Sequence, residues 1–92
     1  MARSIEELRL ALCASPFLGD LLTELATAQH RYKPMNSLHE AYAVLLEEVD
    51  ELWDEVRKKR EVRDLPAVRT ELLQIAAMAW RTALDCGLEA RC

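Results

Sequence analysis

Glycine occurs only twice in the 92 residues and proline three times, so the places where the backbone must turn sharply or break are few. Alternating β-branched runs are missing as well, which removes the pattern of half-buried strands. The three cysteines, Cys13, Cys86 and Cys92, show no CxxC or metal-ligand spacing, so free thiols are expected and a zinc site is not. Positive charge is in deficit: 12 Lys and Arg stand against 16 Asp and Glu, a net charge of -4. That balance gives no general attraction for a nucleic-acid polymer or an anionic membrane. Residues 1–20 are interrupted by Arg3, Glu6, Glu7, Arg9 and Asp20, so they supply no uninterrupted apolar core for a signal peptide or membrane span. A cytoplasmic location is expected.

What remains is helical throughout, and the expected fold is a single all-α domain over residues 1–92. Ser4 and Glu7 have the spacing of a capping box and open a short helix that Pro16 ends or re-aims. A second amphipathic stretch follows to His30, and residues 31–36, with Pro34 inside them, form a connection. Ser37 and Glu40 repeat the capping-box spacing before a strongly periodic run, in which Leu38, Tyr42, Leu45, Val49, Leu52 and Val56 recur at spacings of four and three. This stripe is the expected buried face of a long helix ending near the cations Lys58, Lys59 and Arg60. After a short linker, Asp64 and Pro66 start another long helix with Val68, Leu72, Ile75, Ala79, Ala83 and Cys86 on one stripe, and Gly87 is placed to stop it. The two long helices, over 36–60 and 64–87, are expected to pack antiparallel with the one or two short N-terminal helices of 1–30. A chain this short buries a modest share of its surface, so a four-helix-type core completed by oligomerisation, as a dimer or tetramer, is expected.

The segment EEVDELWDE, residues 47–55, holds six acids and no base. Glu47/Glu51, Asp50/Asp54 and Glu51/Glu55 are like-charge i,i+4 pairs, and only Asp54/Lys58 and Glu55/Lys59 have the spacing to compensate. At about 100° per residue, Glu47, Asp50 and Asp54 point away from the apolar stripe, whereas Glu48, Glu51 and Glu55 share one flank with Ala41 and Val44. On the following helix Glu71, Gln74 and Met78 share a flank, with Arg81 and Asp85 further along. Carboxylates at i and i+3, opposed by a second such pair, make an oxygen-rich site suited to Mg²⁺ or Mn²⁺. A solvated acidic face, or an acidic helical module that docks a basic partner, accounts for the same spacing.

EEVDE at 47–51, followed after nineteen residues by ELLQ at 71–74, resembles the EExxE…ExxD signature of the all-α nucleotide pyrophosphatase superfamily that includes MazG. The likeness extends over NSLHEAYAVLLEEVDELWDEV and RTELLQIAAMAW, roughly residues 30–87. It implies magnesium-dependent hydrolysis of a nucleoside triphosphate to the monophosphate and pyrophosphate. Glu48 and Glu51 match the first metal-binding pair, Glu71 matches the first ligand of the second, and Gln74 stands where that family has aspartate. Glu51 or Glu48 is then the carboxylate that activates water, and Glu47 is at most an accessory. An amide at position 74 leaves the site one negative charge short, so a nucleotide-binding protein without efficient catalysis is the alternative, as is Asp85 taking the missing place. His30, Tyr32, Asn36 and His39 surround the connection and are candidates to meet a base or sugar, or plain turn, packing and surface residues. Lys33, Lys58, Arg60, Arg63 and Arg81 are available to outer phosphates. Trp53 and Trp80 fit a subunit interface better than base stacking, and Met35 and Met78 are gap-fillers.

Overall fold

Four α-helices and one short 3₁₀ turn make up the described residues, 3–88, of the computed structural model. Helix α1 spans Ile5–Cys13, α2 Pro16–Arg31, α3 Leu38–Val56 and α4 Leu65–Asp85, with the 3₁₀ turn at Arg60–Val62. Polar caps set these boundaries. Ser4 and Glu7 form the expected capping box, Ser15 accepts from the Phe17 amide, and Asp64 accepts from the Ala67 amide. At α3 the box is only half made. Ser37 accepts from the Glu40 amide, but the Glu40 carboxylate reaches Asn36 instead, taking its side-chain amide at 2.9 Å. Gly87 adopts φ +70, and the Leu88 amide closes back to the Ala83 carbonyl at 2.9 Å, the left-handed termination that glycine makes cheap.

Helix α3 stops four residues short of the expected end, because Arg63 folds back and donates from Nη2 to the Val56 carbonyl at 2.7 Å and the Lys58 carbonyl at 3.1 Å. A side chain from the linker thus satisfies the last carbonyl of the helix and one just beyond it. The acids at this end pair at i,i+3 rather than i,i+4, Asp54 with Arg57 and Glu55 with Lys58.

Helix α4 is central, packed against α2 on one side and α3 on the other. Early residues of α3 meet late residues of α4, as Leu38 and Ala41 do with Ala79 and Thr82, so these two helices run antiparallel. Asp20 pairs with Arg69 at 2.8 Å and Gln29 bonds to Arg81, so α2 runs parallel to α4. The Arg69 guanidinium also lies over the Phe17 ring at 5.4 Å, which ties the start of α2 down. The two most deeply buried of the described residues are small: Ala41 is 1% exposed and Ala77 4%.

The stripe expected to be buried along α3 is not covered by this chain. Leu38, Tyr42 and Val49 are exposed and Leu45, Leu52 and Val56 half-buried, while on α4 Leu72 and Ala79 are exposed. The chain instead buries the neighbouring flank, where Ala41, Val44 and Glu48 face α4. Helix α1 bends away from α2 by 61° and contributes no buried residue. No single helix among the described residues is long and apolar enough to cross a membrane. Cys13 and Cys86 are free, and Cys92 lies outside the described residues.

Candidate metal centre and adjoining cavity

Because the acidic flank is the face that α3 turns toward α4, carboxylates from the two helices converge. One oxygen each from Glu48, Glu51 and Glu71 lie within 4.8 Å of one another. Glu48 and Glu71 are half-buried, and Glu51 is exposed at the mouth. Among the described residues no Lys or Arg pairs with any of the three.

Crowding of like charge in partly dry surroundings disfavours ionisation. Burial first, then the charges of Glu51 and Glu71, push the Glu48 carboxyl up to about 7 from 4.5. Burial, followed by the charge of Glu51, also raises Glu71. Gln74 completes the group. The amide orientation that satisfies both its ends turns the nitrogen toward the acids, where it donates to Glu48 Oε2 at 3.0 Å and Glu71 Oε2 at 3.2 Å. The four residues singled out from the sequence are therefore brought together. Glu47 stays exposed and outside the group, and Glu55 is turned to Lys58 Nζ at 2.9 Å.

The donor set suits a hard divalent cation. It consists of oxygens alone, drawn from two helices, and the proximity of three carboxylates without a counter-cation is what a bound Mg²⁺ or Mn²⁺ would relieve.

Beside the cluster opens a cavity of about 590 Å³, a size suited to a small-molecule ligand. Glu48 and Gln74 form part of its wall, so cluster and cavity are continuous. The connection between α2 and α3 supplies Tyr32, Lys33 and Asn36, three of the residues expected to meet substrate. His30 and His39 are exposed and do not line it, nor do Trp53 and Trp80.

Arg81 reaches the cavity but is already engaged. Its Nε donates to Gln29 Oε1 at 3.2 Å, its Nη2 donates to the Lys33 carbonyl at 2.6 Å, and its guanidinium lies 5.5 Å from the centre of the Tyr32 ring. Asp85 is occupied too. It lies 3.3 Å from Arg81 Nε and accepts the Met35 amide at 3.0 Å, which leaves it no part in the acidic cluster. Of the other cations, Arg63 is spent on the Val56 and Lys58 carbonyls and Lys58 on Glu55, whereas Lys33 is exposed on the cavity rim.

Sequence reasoning did not single out Glu24, Ala28 or Gln29 of α2 as neighbours of this site. Glu24 and Ala28 sit at i and i+4 on one face, which is the signal that was there. The chain matches no family model, no curated protein and no solved structure.

Proposed function

We propose that the chain is a magnesium-dependent nucleoside triphosphate pyrophosphohydrolase, cleaving between the α and β phosphates to leave a monophosphate and pyrophosphate. The observation that carries this reading is the convergence of Glu48, Glu51 and Glu71 within 4.8 Å, beside a cavity large enough for a nucleoside that Glu48 helps to line. The pairing of EEVDE with ELLQ on antiparallel helices is consistent with the resemblance to the MazG-containing superfamily.

Bound divalent metal would neutralise phosphate charge and orient water for in-line attack. Glu48, Glu51 and Glu71 would hold it, with the Gln74 amide able to present its oxygen after rotation. Glu51, the most exposed of the three acids, is the carboxylate that would take the proton of the attacking water. Tyr32, Lys33 and Asn36 border the space for the nucleoside and its phosphates.

The reading includes self-association. Tyr42 is 66% exposed, Trp53 60% and Leu38 54%, on the same long helix that carries the acids. A second copy laid on this face would bury the stripe that one chain leaves open and complete a four-helix core.

The test is pyrophosphate release from a broad panel of canonical and modified nucleoside triphosphates with Mg²⁺. Release is expected from at least one, and Glu48→Ala or Glu51→Ala should abolish it while the helical circular dichroism persists. Absence of release from the whole panel by the unmodified protein sinks the proposal.

A further inference from the structure

The Asp85 carboxylate lies at the far end of α4, only 4% of its side chain exposed. It takes no part in the acidic cluster and does not line the cavity. Eleven residues separate it from Gln74, about 16 Å along a helix. Its two oxygens nonetheless meet three groups. Oδ1 accepts Gln29 Nε2 at 3.1 Å, and Oδ2 accepts the Met35 amide at 3.0 Å and stands 3.3 Å from Arg81 Nε. Arg81 in turn donates to the Lys33 carbonyl at 2.6 Å. One buried ion pair thus grips the connection between α2 and α3 at both Lys33 and Met35, on either side of Pro34.

The Tyr32 amide closes α2 on the Ala28 carbonyl at 2.9 Å, residues 33–36 carry no helical hydrogen bonds, and Tyr32, Lys33, Pro34, Met35 and Asn36 form one wall of the cavity. A non-helical segment of this kind has little intrinsic stiffness, so its position depends on the groups that tether it. Burying a charged pair is costly unless its hydrogen bonds are satisfied, and here Asp85 is met by a backbone amide and a side-chain amide as well as by Arg81. The energy is spent on the shape of the wall.

We infer that Asp85 is a positioning residue: through Arg81 and the Met35 amide it fixes the 32–36 wall and so sets ligand affinity in the cavity, without touching metal or ligand. This rests on the nucleotide reading above.

The experiment compares the unmodified protein with Asp85→Asn, which keeps shape and removes the charge. The probes are Mn²⁺ alone and, with Mg²⁺, the α,β-imido analogues of the four deoxynucleoside triphosphates. Asp85→Asn should weaken the analogue that binds best by about tenfold and raise KM to match, with kcat and Mn²⁺ affinity within about twofold. Hydrogen exchange at the Met35 amide should accelerate in parallel. Gln29→Met, outside the cavity lining, removes the side-chain bonds to Asp85 Oδ1 and Arg81 Nε that hold this pair. It should show the same split, and it carries the test if Asp85→Asn does not fold. Unchanged analogue affinity in a folded variant overturns the inference. A joint fall of kcat and Mn²⁺ affinity also overturns it, because that is general loss of structure. If the unmodified protein binds none of the four analogues but releases pyrophosphate from another triphosphate, the KM for that triphosphate is the readout; if it does neither, the nucleotide reading itself fails and the positioning role falls with it.

Discussion

Gln74 donates its amide nitrogen across the helix interface to Glu48, 3.0 Å away. It therefore holds the acidic cluster together while adding no charge to it. Gln74→Asp exchanges two hydrogen bonds for a fourth carboxylate. The metal-free variant should lose about 1–3 kcal/mol of stability, and Mg²⁺ should raise its melting temperature by more than it raises that of the unmodified protein. Turnover should increase if the amide restrains catalysis. Thermal melts with and without Mg²⁺, together with pyrophosphate release, check both halves. Equal Mg²⁺ responses would exclude Gln74 from the metal centre.

The raised carboxyl of Glu48 makes stability depend on pH. Between 4.5 and about 7 the folded protein retains a proton that the unfolded chain has released. Unfolding free energy therefore falls as pH rises through that window. The raised Glu71 acts in the same direction. With solvent screening of these partly exposed groups allowed for, the loss is on the order of 1 kcal/mol, or about 4–8 °C in Tm for a domain of this size. Metal-free protein should melt lower at pH 8 than at pH 5, and Mg²⁺ should stabilise it more at pH 8. A flat or rising profile in Glu48→Gln, beside a falling one in the parent, would locate the effect.

The open stripe on α3 gives a second measurable consequence. Tyr42→Glu or Trp53→Glu places a charge in the proposed subunit contact and should yield monomers by sedimentation under conditions where the parent associates. A parent that remains monomeric at about 100 μM would contradict self-association through this face.

Arg63 supplies the only side-chain closure seen at the C-terminal end of α3 among the described residues. Arg63→Ala should cost about 1.5–3 kcal/mol, the range for hydrogen bonds to a charged group. Urea unfolding of the variant would measure it, with an unchanged midpoint counting against the clamp.

Much of this architecture was legible beforehand. Ser4, Pro16, Ser37, Asp64 and Gly87 mark helix ends by local chemistry, so the starts of all four helices and the end of α4 follow from short-range pattern alone. The flank shared by Glu48 and Glu51, and that shared by Glu71 and Gln74, followed from helical spacing, and these two flanks meet. What periodicity does not encode is which surface covers an apolar stripe. Leu38 and Tyr42 mark such a stripe, yet the deepest burial within the chain falls on Ala41 and Ala77, whose small side chains give a weak hydrophobic signal. Long-range bonds were likewise hidden: nothing near position 63 announces Val56 as its partner, and nothing near 85 announces Met35.

The hairpin between α3 and α4 is also a ruler. Its acids reside on opposing strokes of one reversal, so the number of residues between them determines whether they meet. Adding a single residue within the first turns of α4, ahead of Glu71, would swing that carboxylate by about 100°, out of reach of Glu48 and Glu51. The 3₁₀ turn and the Arg63 tether occupy the one stretch where such an insertion could be absorbed as slack, and they take that slack up. The count of residues from the Arg63 tether to Glu71 therefore sets the phase at which Glu71 is presented to α3.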